Sequence, residues 1–190
     1  MELDSAIKKR KSVRSFKTKK PSWKDILDAV DSALQSPCAG GHYHLHFILV
    51  ENPKTIKSLA SLCEQHWISE SSFLIVVASD DLNLENLYGE RGRIYSRQQA
   101  GAAIENLLLK LTDLGLSSCW VGSYTDEQVR SLLKIPAHIQ IEAIIPVGYE
   151  KPSAESSKRK KRNLENHIFW ESWMTTNRPT KFPKLPKQVN

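Results

Sequence analysis

The run Phe73-Leu74-Ile75-Val76-Val77-Ala78 constrains this chain more than any other feature. It is short, uninterrupted and rich in β-branched residues, the pattern of a strand covered on both faces. Such a strand needs helical layers above and below it, and the flanking segments supply candidates. Ser22 stands as a helix cap, with Asp25 three residues on, ahead of Ile26, Leu27, Val30, Ala33 and Leu34 at helical spacing; Pro37 ends the pattern. Asn52-Pro53 opens a second helix whose apolar face is Ile56, Leu59, Leu62 and Cys63. The most apolar helix runs from about Arg97 to Leu114, where Gly115 stops it, and its Ala100-Gly101-Ala102-Ala103 stretch admits close approach of another helix. Thr125 and Gln128 resemble a capping box for a helix through Leu133. Further strands are read at Leu45–Val50, at Cys119-Trp120-Val121 and from Ile139 to Val147, while the polar stretch from Asp80 to Arg93 reads as a surface loop. Helices and strands interleave, which favours an α/β or α+β layered domain.

With 190 residues, 40% of them hydrophobic, the chain can bury a core of ordinary size. The domain is expected over 1–173, followed by an arm or disordered tail over 174–190 that carries three prolines and little apolar periodicity. No apolar run approaches the roughly 18 residues of a membrane span, and Met1-Glu2-Leu3-Asp4 does not open a secretory signal, so a cytoplasmic location is expected. Cys38, Cys63 and Cys119 are odd in number and far apart, which suggests neither a disulfide framework nor a cysteine zinc site. Trp67, Trp170 and Trp173 read as packing anchors.

Charge is the second informative feature. The net charge is +6, yet eight of the first twenty residues are Lys or Arg, and Lys158-Arg159-Lys160-Lys161-Arg162 forms a second run. Two separate basic clusters suggest an anionic partner: a phosphate-bearing cofactor, nucleic acid or an anionic surface. Neither Gly-x-Gly-x-x-Gly nor a P-loop occurs, so a phosphate would have to be held by side chains. A nucleic-acid module is the weaker reading, because the chain has no recognition motif and no aromatic residues interleaved with its basic ones.

Four short segments carry the chemistry. Arg10-Lys11-Ser12-Val13-Arg14 packs three cations and a hydroxyl into five positions, and guanidinium, ammonium and hydroxyl all suit phosphate oxygens. Pro37-Cys38-Ala39-Gly40-Gly41-His42-Tyr43-His44 is a small-residue loop whose backbone can approach a flat ligand. Trp120-Val121-Gly122 leaves a strand, and Pro146-Val147-Gly148-Tyr149 ends another. His42, His44 and His46 alternate, but no carboxylate or cysteine completes a metal-ligating set with them, so no metal is expected; one of the three could face a substrate. No His/Asp arrangement is forced around Cys38, which reads as a packing residue.

In this order, the segments resemble the nitroreductase family of flavin-dependent oxidoreductases. The family's Arg-Arg-Ser-x-Arg-x-Phe opening is matched by Arg10 to Phe16, and its Pro-Ser-Ala-x-Asn-x-Gln-Pro-Trp-x-Phe loop aligns with Pro37 to Phe47. Its Ala-Gly-Ala-Ala helix continuing into Asn-Leu-Leu is Ala100 to Leu108, its Gly-Leu-x-x-Cys-Trp-x-Gly is Gly115 to Gly122, and its Pro-x-Gly-Tyr is Pro146 to Tyr149. The resemblance implies an α+β fold, a mixed sheet sandwiched by helices, in an intertwined homodimer with two flavin mononucleotide (FMN) sites at the interface. It implies ping-pong hydride transfer from NADH or NADPH through FMN to a small organic acceptor such as a nitroaromatic, a quinone or a flavin. A flavin carrier or sensor of the same fold is the alternative.

The resemblance also assigns roles. Arg10, Lys11 and Ser12 would hold the phosphate and ribityl end, with Arg14 towards the pyrimidine end of the ring. Cys38, Ala39, Gly40, Gly41 and Tyr43 of the other subunit would line the ring, and backbone around Val121 and Gly122 would approach its reactive nitrogen. Lys161 and Arg162 would close over the phosphate. The chain departs from the pattern where the family's loop Asn and Gln are Gly41 and Tyr43, and its Pro and Trp are His44 and Leu45. The ring-edge hydrogen bonds of that Asn and Gln are therefore not supplied in the same way.

Overall fold

A computed structural model of the chain describes residues 1–152 and 163–178. The chain divides into two compact units, Met1–Ser153 and Ala154–Asn190.

The first unit is built on a four-stranded sheet of β1 (Leu45–Val50), β2 (Phe73–Ser79), β3 (Ser117–Ser118) and β4 (Gln140–Gly148), in the order β1-β2-β4-β3. All three strand pairings are antiparallel. A parallel contribution comes from an isolated bridge between Ser12 and Ser118, which extends the sheet beyond β3.

β2 is buried along its whole length, as its composition demands. Its side chains alternate between two cores. Phe73, Ile75 and Val77 join Ala143, Ile145 and Val147 of β4 on one face, under α2 (Trp23–Leu34) and α5 (Glu90–Asp113). Leu74 and Val76 join Ile144 on the other, under α3 (Pro53–Leu62) and α6 (Asp126–Leu133). Ser22 caps α2 by accepting from the Lys24 amide, and Asn52 caps α3 by accepting from Lys54 and Thr55, as the sequence pattern predicts. Thr125 occupies the cap position of α6 without a side-chain hydrogen bond, so its resemblance to a capping box does not extend to the geometry.

Two expectations are corrected. The stretch from Asp80 to Arg93 is not a loop: α4 (Leu82–Tyr88) lies within it, and α5 starts at Glu90 instead of near Arg97. Polar residues hid this helix, because only a narrow stripe of it is buried. Gly89, at φ 57 and ψ −141, turns the chain between α4 and α5. Gly92 then lets the helices touch: a Cβ there would stand 2.2 Å from the Leu84 carbonyl oxygen. The strand expected at Cys119–Val121 is also displaced. β3 pairs two residues earlier, and Val121 returns to β4 through a single bridge to Ile144.

In the second unit, Asn163 accepts from the Glu165 amide ahead of a 3-10 turn, Leu164–His167. Phe169 and Trp173 meet edge to face at 4.7 Å, although Trp173 stays 81% exposed.

Gly92→Ala tests the α4–α5 contact. In an open helix position this change stabilises by about 1 kcal/mol. Here the added methyl meets backbone that cannot step aside, and the expected result is a loss of about 2 kcal/mol or more in urea denaturation.

Candidate active site

The segment Arg10–Phe16 leaves α1 (Leu3–Lys9) as extended chain, pinned by two buried side chains. Val13 and Phe16 are buried, while Ser12 and Arg14, two residues apart and hence on one face, stay outside. The Val13 amide donates to the Ser118 carbonyl at 3.0 Å, and the Phe16 amide and Ser15 hydroxyl both donate to Glu70 at 3.2 Å. Gly148 leaves room for the Phe16 ring, which also stacks on Trp67 at 6.5 Å; this confirms Trp67 as a packing anchor.

That anchoring gathers Arg10, Ser12 and Arg14 round Cys119. Burial, the larger influence, raises the Cys119 thiol pKa, while Arg14, Ser12 and Arg10 draw it back down. Lys11 turns aside to Glu150 at 2.7 Å, an exposed pair worth at most about 1 kcal/mol. Arg10 makes only a long contact to Glu105, 3.8 Å. No carboxylate pairs with Arg14 among the described residues. Val121, on the adjoining edge, exchanges both backbone hydrogen bonds with Ile144. The exposed Gly122 backbone beside it has no such partner among the described residues.

The second expected group lies elsewhere. Cys38 to Tyr43 connect α2 to β1, with a 3-10 turn at Ala39–Gly41 in which Gly40 and Gly41 take φ values of 57 and 75. The Tyr88 hydroxyl stands over Gly40 so closely that a Cβ would be 2.4 Å from it. Tyr43 packs on the α2–α5 core and its hydroxyl donates to the Ala33 carbonyl at 3.2 Å. Burial raises its pKa. Cys38 and Ala39 face Tyr95, Gln98, Gln99 and Ala102 of α5 across a crevice of about 240 Å³.

Leu45 is level with Ser79 and Gln140 at one end of an outer strand, whereas Ser118 pairs with Val147 at the other end of the opposite outer strand. The structure thus brings Arg10, Ser12 and Arg14 together with the Val121–Gly122 edge, and Arg10 reaches Glu105, one to two turns of α5 from the Ala102 and Gln99 that wall the crevice. Lys161 and Arg162 lie outside the described residues.

Beside the 38–43 loop is a polar network that the sequence reading missed. His44 Nε2 and Ser96 Oγ are 2.7 Å apart, and Ser96 donates to Asp81 at 2.5 Å. A hydroxyl has one proton to give, so His44 donates from Nε2. Arg97 pairs with Asp81 at 2.5 Å and with Glu142, and donates to Ser79 at 3.0 Å. His44, Ser79, Asp81 and Ser96 are all buried, whereas His42 and His46 are exposed, so the three histidines do not act alike. A signal was present: Ser96 and Gln99 continue the buried stripe of Ala100, Ala103, Ile104 and Leu107 at helical spacing.

The class defined by this geometry is a sandwich of helices on an antiparallel sheet, with a cationic cluster round Cys119 and a crevice between the 37–39 loop and α5. The chain matches the sequence profile of the Nitroreductase family over residues 7–72 and 59–149 and belongs to that family of oxidoreductases. It is 28% identical over 169 residues to an Archaeoglobus fulgidus protein provisionally named NADH dehydrogenase/NAD(P)H nitroreductase, covering 86% of this chain and 94% of the relative. It is also 28% identical over 163 residues to an iodotyrosine deiodinase of Thermotoga neapolitana, covering 77% and 88%. A crystal structure from Parabacteroides distasonis, with the same provisional name as the first relative, superposes with a TM-score of 0.77 at 26% identity, covering 91% and 99%. No helix among the described residues is long and apolar enough to cross a membrane.

The His44 network gives a pH prediction. Burial, the main cause, pushes His44 below the usual imidazole range; a hydrogen bond to the His42 backbone, Asp81 and Asp80 act against it, and Arg97 acts with it. The unfolded chain then takes up a proton at His44 from about pH 6.5 downwards while the folded chain still resists it. Stability should fall as pH drops through that window. Urea denaturation at about pH 7.5 and about pH 5.5 should show a smaller drop for His44→Asn than for the parent; equal drops would refute the assignment.

Proposed function

We propose that the chain is an FMN-dependent NAD(P)H oxidoreductase that passes a hydride to a small organic acceptor, and that two copies of the chain form each site. The cations and hydroxyl gathered round Cys119 carry this reading. A crevice opens between Cys38 and Ala39 and the Gln98, Gln99 and Ala102 wall of α5. Membership of the family supports a second copy offering its loop to the first copy's cations.

Arg10, Lys11 and Ser12 would hold the phosphate, and the chemistry of the donor set fits it: the Arg10 guanidinium and the Ser12 hydroxyl converge beside Cys119, and Arg14 next to them has no carboxylate partner among the described residues. Lys11 can leave its exposed pair with Glu150 for a dianion. Arg14 would place a fixed positive charge towards the pyrimidine end of the ring. Cys38, Ala39, Gly40 and Gly41 of the second copy would line the ring. Tyr43 would support that wall from behind, since its hydroxyl is engaged with Ala33. On the first copy, the Gly122 amide is the group free to approach the ring, because that of Val121 is paired.

When bound, the flavin supplies the hydride chemistry itself, so the protein needs no acid–base pair of its own. Its own contribution is placement and positive charge. A nicotinamide donor and the acceptor would take turns over the same face, in ping-pong order. The acceptor class is a nitroaromatic, a quinone or a flavin.

Purified protein supplied with FMN should be yellow and should lose its visible bands on addition of NADH or NADPH without oxygen, then regain them with an acceptor. A chain that binds FMN without bleaching would be a carrier or sensor, and one that takes up no FMN would overturn the proposal. Arg14→Ala should weaken FMN binding about tenfold or more, the scale of one lost charge-assisted hydrogen bond.

A further inference from the structure

Gln99 of α5 stands out among the described residues. It is 4% exposed, and both ends of its carboxamide lack a hydrogen bond. Native chains rarely leave a buried amide in that state, and an orphan of this kind asks for a missing partner. Gln99 lines the crevice whose opposite wall is Cys38 and Ala39, the loop proposed above to face the flavin ring.

At the two loop positions where the family carries Asn and Gln, the chain has no carboxamide: Gly41 has no side chain, and the Tyr43 hydroxyl donates to Ala33. We infer that Gln99 makes these bonds instead, presenting its carboxamide from α5 to the carbonyl and N–H groups on the edge of the isoalloxazine held by the other copy. This rests on the functional reading above. A primary amide offers a carbonyl acceptor and two N–H donors, which complements a ring edge that alternates carbonyl oxygens with N–H. An Asn or Gln on the loop would offer the same pair. Ring recognition has thus moved from the loop to the helix packed beneath it.

The test is a titration of the full-length apo chain with FMN and with riboflavin, following flavin fluorescence and the position of the visible band. Gln99→Met keeps the length and apolar packing of the side chain and removes both polar ends. It should weaken both ligands by about tenfold or more, about 1.4 kcal/mol, and move the band towards that of free flavin. Arg10→Ala, at the phosphate, should weaken FMN far more than riboflavin. Gly41→Asn added to Gln99→Met should recover much of the lost affinity: Asn tolerates the positive φ at this position, and no atom stands within 4 Å of a Cβ there. Gln99→Ser is a second variant with the same expectation, should the Met variant fold poorly.

Unchanged affinity and spectrum in Gln99→Met would overturn the inference. So would a variant that binds flavin normally but no longer self-associates by light scattering, since the carboxamide would then answer the partner chain. Failure of the unaltered chain to bind either flavin would instead remove the functional reading on which the inference stands.

Discussion

Everything in the first unit is arranged around a strand that has no face left for water. β2 is buried at every position, so its alternating side chains recruit two cores, and each core recruits a pair of helices. The helices cannot be shed without exposing β2, and the sheet cannot slip, because a one-residue shift would exchange the side chains that each core receives. The register of β4 against β2 follows, and with it the positions of β1 and β3 as the two outer strands. The basic segment is pinned beside β3, and the 38–43 loop leads into β1 with α5 as its facing wall.

Rigid placement suits the chemistry proposed for the family fold. A flavin brings its own reactivity, and what remains for the protein is to fix where the ring, the phosphate and the two reactants lie. Val13 and Phe16 tie the basic segment to the sheet edge so that Ser12 and Arg14 face outward. Burial of positively charged neighbours would have forced them into ion pairs. Here the anchoring residues are the buried ones, and the cations keep their charge available.

The sequence made much of this legible. The β2 run implied two layers, Asn52-Pro53 and Ser22 marked helix starts, and the order of the five motif segments pointed to the family. What it concealed has physical reasons. The polar surface of α4 and early α5 masked helical periodicity, because their buried stripe is narrow and partly Ser and Gln. β3 pairs over only two residues, too short a span to leave an alternation. The network of His44, Ser96, Asp81, Arg97, Ser79 and Glu142 joins four distant segments, and no local pattern announces such a convergence. Tyr43 aligns with a ring-facing position of the family, and its part-buried phenol packs on the core with its hydroxyl donating to Ala33, a contact between residues ten apart that no local pattern announces.

The sharing of each proposed site between two copies has a genetic consequence. If each site draws its cations from one copy and its crevice wall from the other, damage to the two halves is not equivalent when it is shared between chains. A copy crippled only at Arg14 and a copy crippled only at Gln99 each make a dimer with two defective sites. Co-expressed, they assemble a hybrid in which one site collects both lesions and the other collects none. Two inactive alleles would then yield a protein with half its sites intact, a behaviour that no site confined to a single chain can produce.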